Sequence, residues 1–229
     1  MVEGVLFDLF ETLITESETR PLGASSLGPR LGLEPVAFRE QWKLRRAAVT
    51  LGRLSFVQAL AEIGIALGSP IDPPQLEALR RERVISKAAP LGRTEASILR
   101  LLDELRLRGK RIGVVSNCFA EDVAMWSESL LAPRVHAALF SFDVGLAKPD
   151  PEIYKEASRR LGIRPEDTVF IGDGADNELA GATQVGLRAF KALWFLGRWP
   201  HFQRDEMETG LQCVEDVARL VRRNLAHEQ

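Results

Sequence analysis

The 229-residue sequence predicts an α/β fold, with a Rossmann-like parallel sheet core and a helical segment inserted after the first strand. Two observations support this prediction. After Pro90, apolar runs of strand length alternate with amphipathic helical patterns, which is the signature of βαβ units and a parallel sheet. Between Thr15 and Pro90 the patterns are helical and are interrupted by glycine and proline. We therefore predict a core domain over 1–14 and 91–229 and a helical domain over 15–90.

Composition and charge narrow the classes of function. The chain is 45% hydrophobic and 27% charged, which is enough apolar material for a full core. Its formal net charge of -2 argues against nucleic acid or an anionic membrane as the main partner, because such binding needs a basic field. Cys118 and Cys213 lack metal-ligand spacing, and no apolar stretch approaches the length of a membrane span. We expect a cytoplasmic protein that binds a small molecule.

The first predicted strand leads directly to an acidic residue. Val5, Leu6 and Phe7 form an apolar run typical of a strand buried on both faces of a parallel sheet, and Asp8 follows. In open α/β sheets, ligands bind beyond the carboxyl ends of the strands. Asp8 is therefore the candidate nucleophile, and a solvated aspartate at a strand end is the alternative.

The inserted segment is predicted to contain three helices: 36–52 with Pro35 at its start, one with Ser55 as its N-cap, and one from Pro73–Pro74 to about Lys87. The charged run Arg80–Arg83 lies in the third helix. A run of this kind is typical of a solvated helix face, so it is assigned no chemistry.

The next predicted strand also ends in polar residues. Thr94 is the expected N-cap of a helix that ends at Gly109, and a strand over 111–115 follows. Ser116 and Asn117 come next. They can present a hydroxyl and an amide to an oxyanion, or they can form an ordinary turn.

Lys148 directly precedes a predicted helix, after an apolar segment over 137–142. Asp150 is the expected N-cap of this helix and Pro151 its first residue. An ordinary surface lysine is one interpretation. The other is that the rigid turn holds Lys148 beside the strand ends, where it supplies a fixed positive charge to the crevice.

A later predicted strand, 168–171, leads into the acids Asp173, Asp176 and Glu178. A following helix explains one or two of them, because its dipole favours negative charge at its N-terminus. Mg²⁺ typically takes one or two carboxylates, so Asp173 is a candidate metal ligand. The predicted core is completed by a strand over 188–193, a loop containing Trp194, Trp199 and the presumed surface residue His201, and a helix from about Val214.

Four of these segments resemble, in order, the sequence motifs of the haloacid dehalogenase-like (HAD) hydrolase superfamily: Phe7–Leu13, Val114–Asn117, Lys148–Tyr154 and Ile171–Ala182. The resemblance spans the whole chain and identifies the helical domain 15–90 with the cap domain of that family. It implies hydrolysis of a small molecule through a covalent aspartyl intermediate, with Mg²⁺ as cofactor.

The resemblance also assigns residues to roles. Those expected to act in catalysis are Asp8 as nucleophile, Thr12, which orients the nucleophile loop, Ser116 and Lys148. Those expected to bind the substrate are Ser116, Asn117 and Lys148. Those expected at the metal site are Asp8, Phe10 and Asp173.

The sequence departs from the family pattern at the position of the general acid. Phosphatases of this family usually carry a second aspartate two residues after the nucleophile, where this chain has Phe10. A phenyl ring transfers no proton, and loss of a positioned acid or base costs about 10²–10⁴-fold in rate. Glu11 is a candidate substitute. Glu178 stands where related sequences often have aspartate, and we expect it in the outer shell of the metal site.

Three functions are compatible with these residues. The first is a Mg²⁺-dependent phosphohydrolase, which Asp173 supports. The second is a 2-haloacid dehalogenase, in which an aromatic residue at the Phe10 position is usual and a cap Trp-Arg pair holds the substrate; the nearest equivalent here is Trp42–Lys43. The third is a non-catalytic protein of the same fold, which the intact Asp8 and Lys148 argue against.

Overall fold

A computed structural model of the chain describes residues 2–19, 24–199 and 210–222. Its centre is a five-stranded, fully parallel sheet in the order β3-β2-β1-β4-β5. The strands are β1 (Gly4–Phe7), β2 (Arg111–Ser116), β3 (Ala137–Phe140), β4 (Thr168–Gly172) and β5 (Arg188–Lys191). Helices flank this sheet, so the predicted α/β, Rossmann-like fold is confirmed.

Nine α-helices lie within the described ranges: α1 (Ala24–Arg30), α2 (Pro35–Thr50), α3 (Phe56–Ala66), α4 (Pro73–Gly92), α5 (Ala96–Leu107), α6 (Ser141–Val144), α7 (Pro151–Leu161), α8 (Glu178–Gln184) and α9 (Val214–Arg222). None of them is both long and apolar enough to cross a membrane. The predicted surface position of His201 lies outside the described residues.

Alternation of side chains along β1 produces a core on each face of the sheet. Val5 and Phe7 pack with the apolar faces of α5 and α9, whereas Leu6 packs with α7. All three side chains are fully buried. Successive residues of a strand point to opposite faces, so a strand covered on both sides must be apolar throughout.

The helices α1 to α4 enclose a separate apolar cluster around Phe38, Trp42 and Phe56. Ser55 starts α3 through a capping box, in which its hydroxyl accepts from the Gln58 amide and the Gln58 side chain accepts from the Ser55 amide. The division of the chain into two domains stays a prediction.

Three local expectations were wrong. The helix α4 does not end near Lys87 but continues through Pro90 to Gly92, because Pro90 and Leu91 are buried and a proline in the last turn removes only one backbone donor. Thr94 is not the N-cap of α5; its hydroxyl donates to the Leu91 carbonyl at 3.1 Å.

The third difference concerns Arg83, which was expected on a solvated face but is buried. Its guanidinium lies 2.6 Å from the Asp122 carboxylate and packs on the rings of Phe56 and Phe119. A partner distant in sequence removes the cost of burying this charge, and helical spacing alone does not reveal that partner.

Candidate active site

The strand register brings the ends of three strands together. Phe7 is level with Val114 on β2 and with Ile171 on β4, and the Asp8 amide donates to the Ile171 carbonyl at 2.8 Å. The residues that follow these positions therefore meet at the carboxyl edge of the sheet. Asp8 lies at the centre of this edge, as the sequence predicts.

Lys148 reaches this edge from the segment before α7. Its buried ammonium donates to Asp8 Oδ1 and, at 2.5 Å, to Glu178 Oε2. Burial alone would lower the pKa of Lys148, but the two carboxylates outweigh burial and raise that pKa above its ordinary value. The site therefore holds a permanently charged ammonium beside the candidate nucleophile.

Asn117 holds the backbone of Lys148. Its Oδ1 accepts from the Lys148 amide and its Nδ2 donates to the Lys148 carbonyl, both at 2.8 Å. The same Nδ2 lies 3.1 Å from Asp176 Oδ2. The side-chain amide of Asn117 is thus used to position Lys148, a role that the sequence does not signal. That Asn117 also binds substrate stays a prediction.

Three carboxylates form a cluster that can hold a cation. Oxygen atoms of Asp8, Asp173 and Glu178 all lie within 4.8 Å of one another. Burial raises the pKa of Asp8; Lys148 lowers it in part, and the Asp173 charge raises it again. Burial also raises the pKa of Glu178 to about 7, against the effect of Lys148. An all-oxygen set with excess negative charge fits Mg²⁺, which would relieve this repulsion.

Glu178 lies inside the site rather than behind it. Its Oε1 accepts from the Gly174 amide at 2.9 Å, and its carbonyl accepts from the buried Tyr154 hydroxyl at 2.7 Å. A Cβ at Gly172 would come within 2.0 Å of Glu178 Oε1, so this carboxylate needs glycine at the end of β4. The sequence did not reveal the contact of Glu178 with Lys148.

Two buried hydroxyls have no oxygen or nitrogen hydrogen-bond partner within the described ranges, and one of them, Ser116, has only the weakly polar thiol of Cys118 beside it. They are Thr12 Oγ1 and Ser116 Oγ, and both side chains are fully buried. Ser116 is the last residue of β2, and Thr12 lies in the loop after Asp8. A buried hydroxyl without a partner is costly, so both groups are suited to bind a ligand oxygen. Their assignment to catalysis stays a prediction.

Phe10 lines a small cavity of about 110 Å³, together with Asp8, Glu11, Lys148 and Asp173. The ring offers no proton and no ligand atom, so only the main-chain oxygen of Phe10 can serve the predicted metal site. Lys87 of α4 lies over the Phe10 ring, with its Nζ 4.8 Å from the ring centroid.

Glu11 adopts a left-handed backbone conformation, with φ of 57°. Its carboxylate accepts from the Thr15 hydroxyl at 2.7 Å, the Glu16 amide at 2.8 Å and the Trp199 indole at 2.8 Å. These three donors occupy both carboxylate oxygens, which makes Glu11 a poor substitute for the missing acid.

The proposed dehalogenase pair does not meet in the site. Trp42 is buried in the cluster of α1 to α4, with its ring centroid 5.9 Å from that of Phe119, and Lys43 is exposed. Adjacent helical residues point about 100° apart, so they do not share one pocket.

Comparison with curated proteins finds phosphatases. A glyceraldehyde 3-phosphate phosphatase from Methanocaldococcus jannaschii is 24% identical over 237 residues, which cover 98% of this chain and 100% of that protein. One from Methanopyrus kandleri is 35% identical over 94 residues, or 39% of each chain. A phosphoserine phosphatase from Thermus thermophilus is 32% identical over 139 residues, or 58% of this chain and 51% of that protein. In the last two matches the chain spans about half or less of the relative.

Solved structures share the fold. A 2-haloacid dehalogenase from Pseudomonas syringae pv. Tomato DC3000 has a TM-score of 0.66 at 22% identity, with 96% of this chain and 98% of that chain covered. A HAD family enzyme from Bacteroides thetaiotaomicron in a magnesium complex has a TM-score of 0.64 at 18% identity, with 83% and 93% covered. The sequence model of the haloacid dehalogenase-like hydrolase family matches residues 2–186 of this chain. The chain therefore belongs to the haloacid dehalogenase-like hydrolase family.

Proposed function

We propose that the chain is a Mg²⁺-dependent phosphohydrolase that acts on a small phosphorylated metabolite through a covalent intermediate on Asp8. The observation that carries this proposal is the contact of Asp8 with the buried Lys148 ammonium, beside a cluster of oxygen ligands. Phosphoryl transfer needs an in-line nucleophile and positive charge around the transferred oxygens.

The reaction has two displacements. A carboxylate oxygen of Asp8 attacks phosphorus, an Asp8–phosphate bond forms, and the bond from phosphorus to the leaving oxygen breaks. Water then attacks the same phosphorus and loses a proton to solvent, the bond from phosphorus to the Asp8 oxygen breaks, and phosphate leaves as the Asp8 carboxylate is restored. Lys148 neutralises charge on the equatorial oxygens, while the buried hydroxyls of Thr12 and Ser116 are suited to donate to them.

The residues that would hold Mg²⁺ are Asp8, Asp173 and the main-chain oxygen of Phe10, with Glu178 beside them. When bound, the cation supplies positive charge that lets the Asp8 carboxylate approach an anionic phosphate. The chain itself contributes Lys148 for the same purpose, held by Asn117 and Glu178. The helices α1 to α4 would form the cap domain over this site.

Phe10 restricts the substrates that are turned over rapidly. The leaving oxygen receives no proton from the side chain at this position, and both carboxylate oxygens of Glu11 are engaged by three donors. Esters with a poor leaving group should therefore react slowly, and acyl or aryl phosphates faster. The phosphatase names of the relatives support phosphate as the group transferred.

A 2-haloacid dehalogenase is the second candidate, because Phe10 suits a reaction whose leaving halide needs no proton. The similarity of the fold to that of the 2-haloacid dehalogenase from Pseudomonas syringae is compatible with this function. The retained carboxylate of Asp173 and the separation of Trp42 from Lys43 favour the phosphatase.

One screen tests the proposal. Phosphate release from acyl, aryl and alkyl phosphates and halide release from 2-haloacids are measured with Mg²⁺ and with a chelator. We expect phosphate release that needs Mg²⁺ and declines from acyl to alkyl phosphates. Halide release that persists with the chelator would establish the dehalogenase instead.

A further inference from the structure

Two tryptophans of one loop donate hydrogen bonds to the loop that carries Asp8. The Trp194 indole donates to the Thr12 carbonyl at 2.9 Å, and the Trp199 indole donates to the Glu11 carboxylate at 2.8 Å. Both tryptophans are half-buried. The donors lie more than 180 residues after their acceptors, so these bonds join distant parts of the chain.

The acceptor loop needs such support. It folds back sharply, with the Leu9 carbonyl accepting from the amides of Leu13 and Ile14 at 2.9 and 3.0 Å. Glu11 lies at the bend with φ of 57°, a left-handed conformation that is strained for a residue with a Cβ. Strained backbone of this kind persists only where surrounding contacts over-determine it.

The donor loop is itself attached to the core. Phe195 is fully buried between the two tryptophans, and Arg198 forms an ion pair of 2.6 Å with Glu95 at the start of α5. At its beginning, the Ala192 amide donates to the Gly172 carbonyl at the end of β4 at 2.7 Å. The Trp194–Trp199 loop therefore connects the loop that carries Asp8 to the central sheet.

We propose that Trp199 and Glu11 are positioning residues for the nucleophile. The indole of Trp199 holds the Glu11 carboxylate, Glu11 holds the bend through Thr15 and Glu16, and the bend holds Asp8 in line with the substrate. Trp194 secures the same loop at Thr12. This inference rests on the proposed function and gives Glu11 a role that needs its acceptor oxygens rather than a proton.

The experiment compares five variants: Trp199→Phe, Glu11→Ala, the double variant of these two, Glu11→Gln and, as control, Trp126→Phe. Trp126 packs edge-on against Phe140, with centroids 5.3 Å apart, and its side chain has no hydrogen bond within the described residues. The control therefore makes the same chemical change without touching the nucleophile loop. Hydrogen exchange of the amides of 9–16 and the steady-state hydrolysis of an aryl phosphate are measured.

We expect faster exchange over 9–16 in Trp199→Phe and Glu11→Ala, and a fall of about tenfold in kcat with KM within about threefold, because small misplacements of a reacting group cost up to about 10²-fold. Glu11→Gln retains one acceptor oxygen, which can keep the Thr15 and Trp199 donors but not the Glu16 amide, so it should recover part of the kcat that Glu11→Ala loses. The control should match the wild type. The double variant Trp199→Phe/Glu11→Ala should lose no more than either single change, since both break one network.

Two results would overturn the inference. One is unchanged exchange over 9–16 in Trp199→Phe. The other is a Glu11→Gln variant as slow as Glu11→Ala, with a larger deficit on alkyl than on aryl phosphates, which would make Glu11 the proton donor. If the wild type hydrolyses no phosphate ester, the proposed function fails, and the exchange measurement still decides whether Trp199 holds the loop.

Discussion

The ammonium of Lys87 lies over the ring of Phe10, 4.8 Å from its centroid, and pairs with the Glu16 carboxylate at 2.6 Å. A helix of the predicted cap thus places a cation against the side chain that stands where the family's general acid is usual. Any carboxylate introduced at position 10 meets this ammonium, which favours its ionised form.

The first prediction concerns Phe10→Asp. We expect this change to raise hydrolysis of an alkyl phosphate more than that of an aryl phosphate, because only a poor leaving group needs a proton. The gain should grow towards acid pH, since Lys87 disfavours the protonated acid. Phe10→Asn, which has a similar size and no proton to give, is the control. Equal changes for both esters in a folded Phe10→Asp variant would falsify the missing-acid account.

The second prediction concerns Asp8→Asn. An amide is a far weaker nucleophile than a carboxylate, so turnover should be abolished while the fold is kept. Circular dichroism and phosphate release check both parts. Asp143→Asn, an exposed change of the same kind, should retain full activity. Activity of Asp8→Asn within about tenfold of the wild type would exclude covalent catalysis by this residue.

The third prediction concerns Arg83→Met. Removing one partner of a buried ion pair leaves the Asp122 carboxylate uncompensated, so the free energy of unfolding should fall by about 3–5 kcal/mol in urea titrations. Adding Asp122→Asn should restore a large part, because the amide oxygen can still accept from the Phe119 amide. Arg81→Met, at an exposed position of the same helix, should change stability by less than about 0.5 kcal/mol. A similar fall in the free energy of unfolding for Arg83→Met and Arg81→Met would contradict the burial of Arg83.

The fourth prediction is a pH dependence of stability. Burial raises the pKa of Glu16 above its ordinary value of 4.5, and Lys87 opposes this only in part. The folded state therefore binds the Glu16 proton more tightly than the unfolded state, so the contribution of this group falls as pH rises from about 4.5 through the folded pKa. Glu16→Gln cannot titrate. The free energy of unfolding of the wild type relative to Glu16→Gln should thus decrease as the pH rises above about 4.5; a difference that increases would show that the sign is wrong.

Local sequence was sufficient for the sheet and for the candidate nucleophile. The runs Val5–Phe7 and Val169–Ile171 are apolar throughout because both faces of a parallel strand are covered, and this pattern can be read without knowing the partners. The acids that end these runs, Asp8 and Asp173, follow from the same pattern. The motif at Lys148 is also local, since Asp150 and Pro151 start the helix behind it.

Only the tertiary structure decided which groups pair with the charged and polar side chains. Arg83 is buried because it pairs with the Asp122 carboxylate. Trp199 donates a hydrogen bond to Glu11, a residue 188 positions earlier. The periodicity of a helix reports which face is apolar. It carries no information about a distant carboxylate whose charge offsets the cost of burying a cation. For the same reason the sequence determined which residue is the candidate nucleophile, whereas the fold determined which side chains surround it.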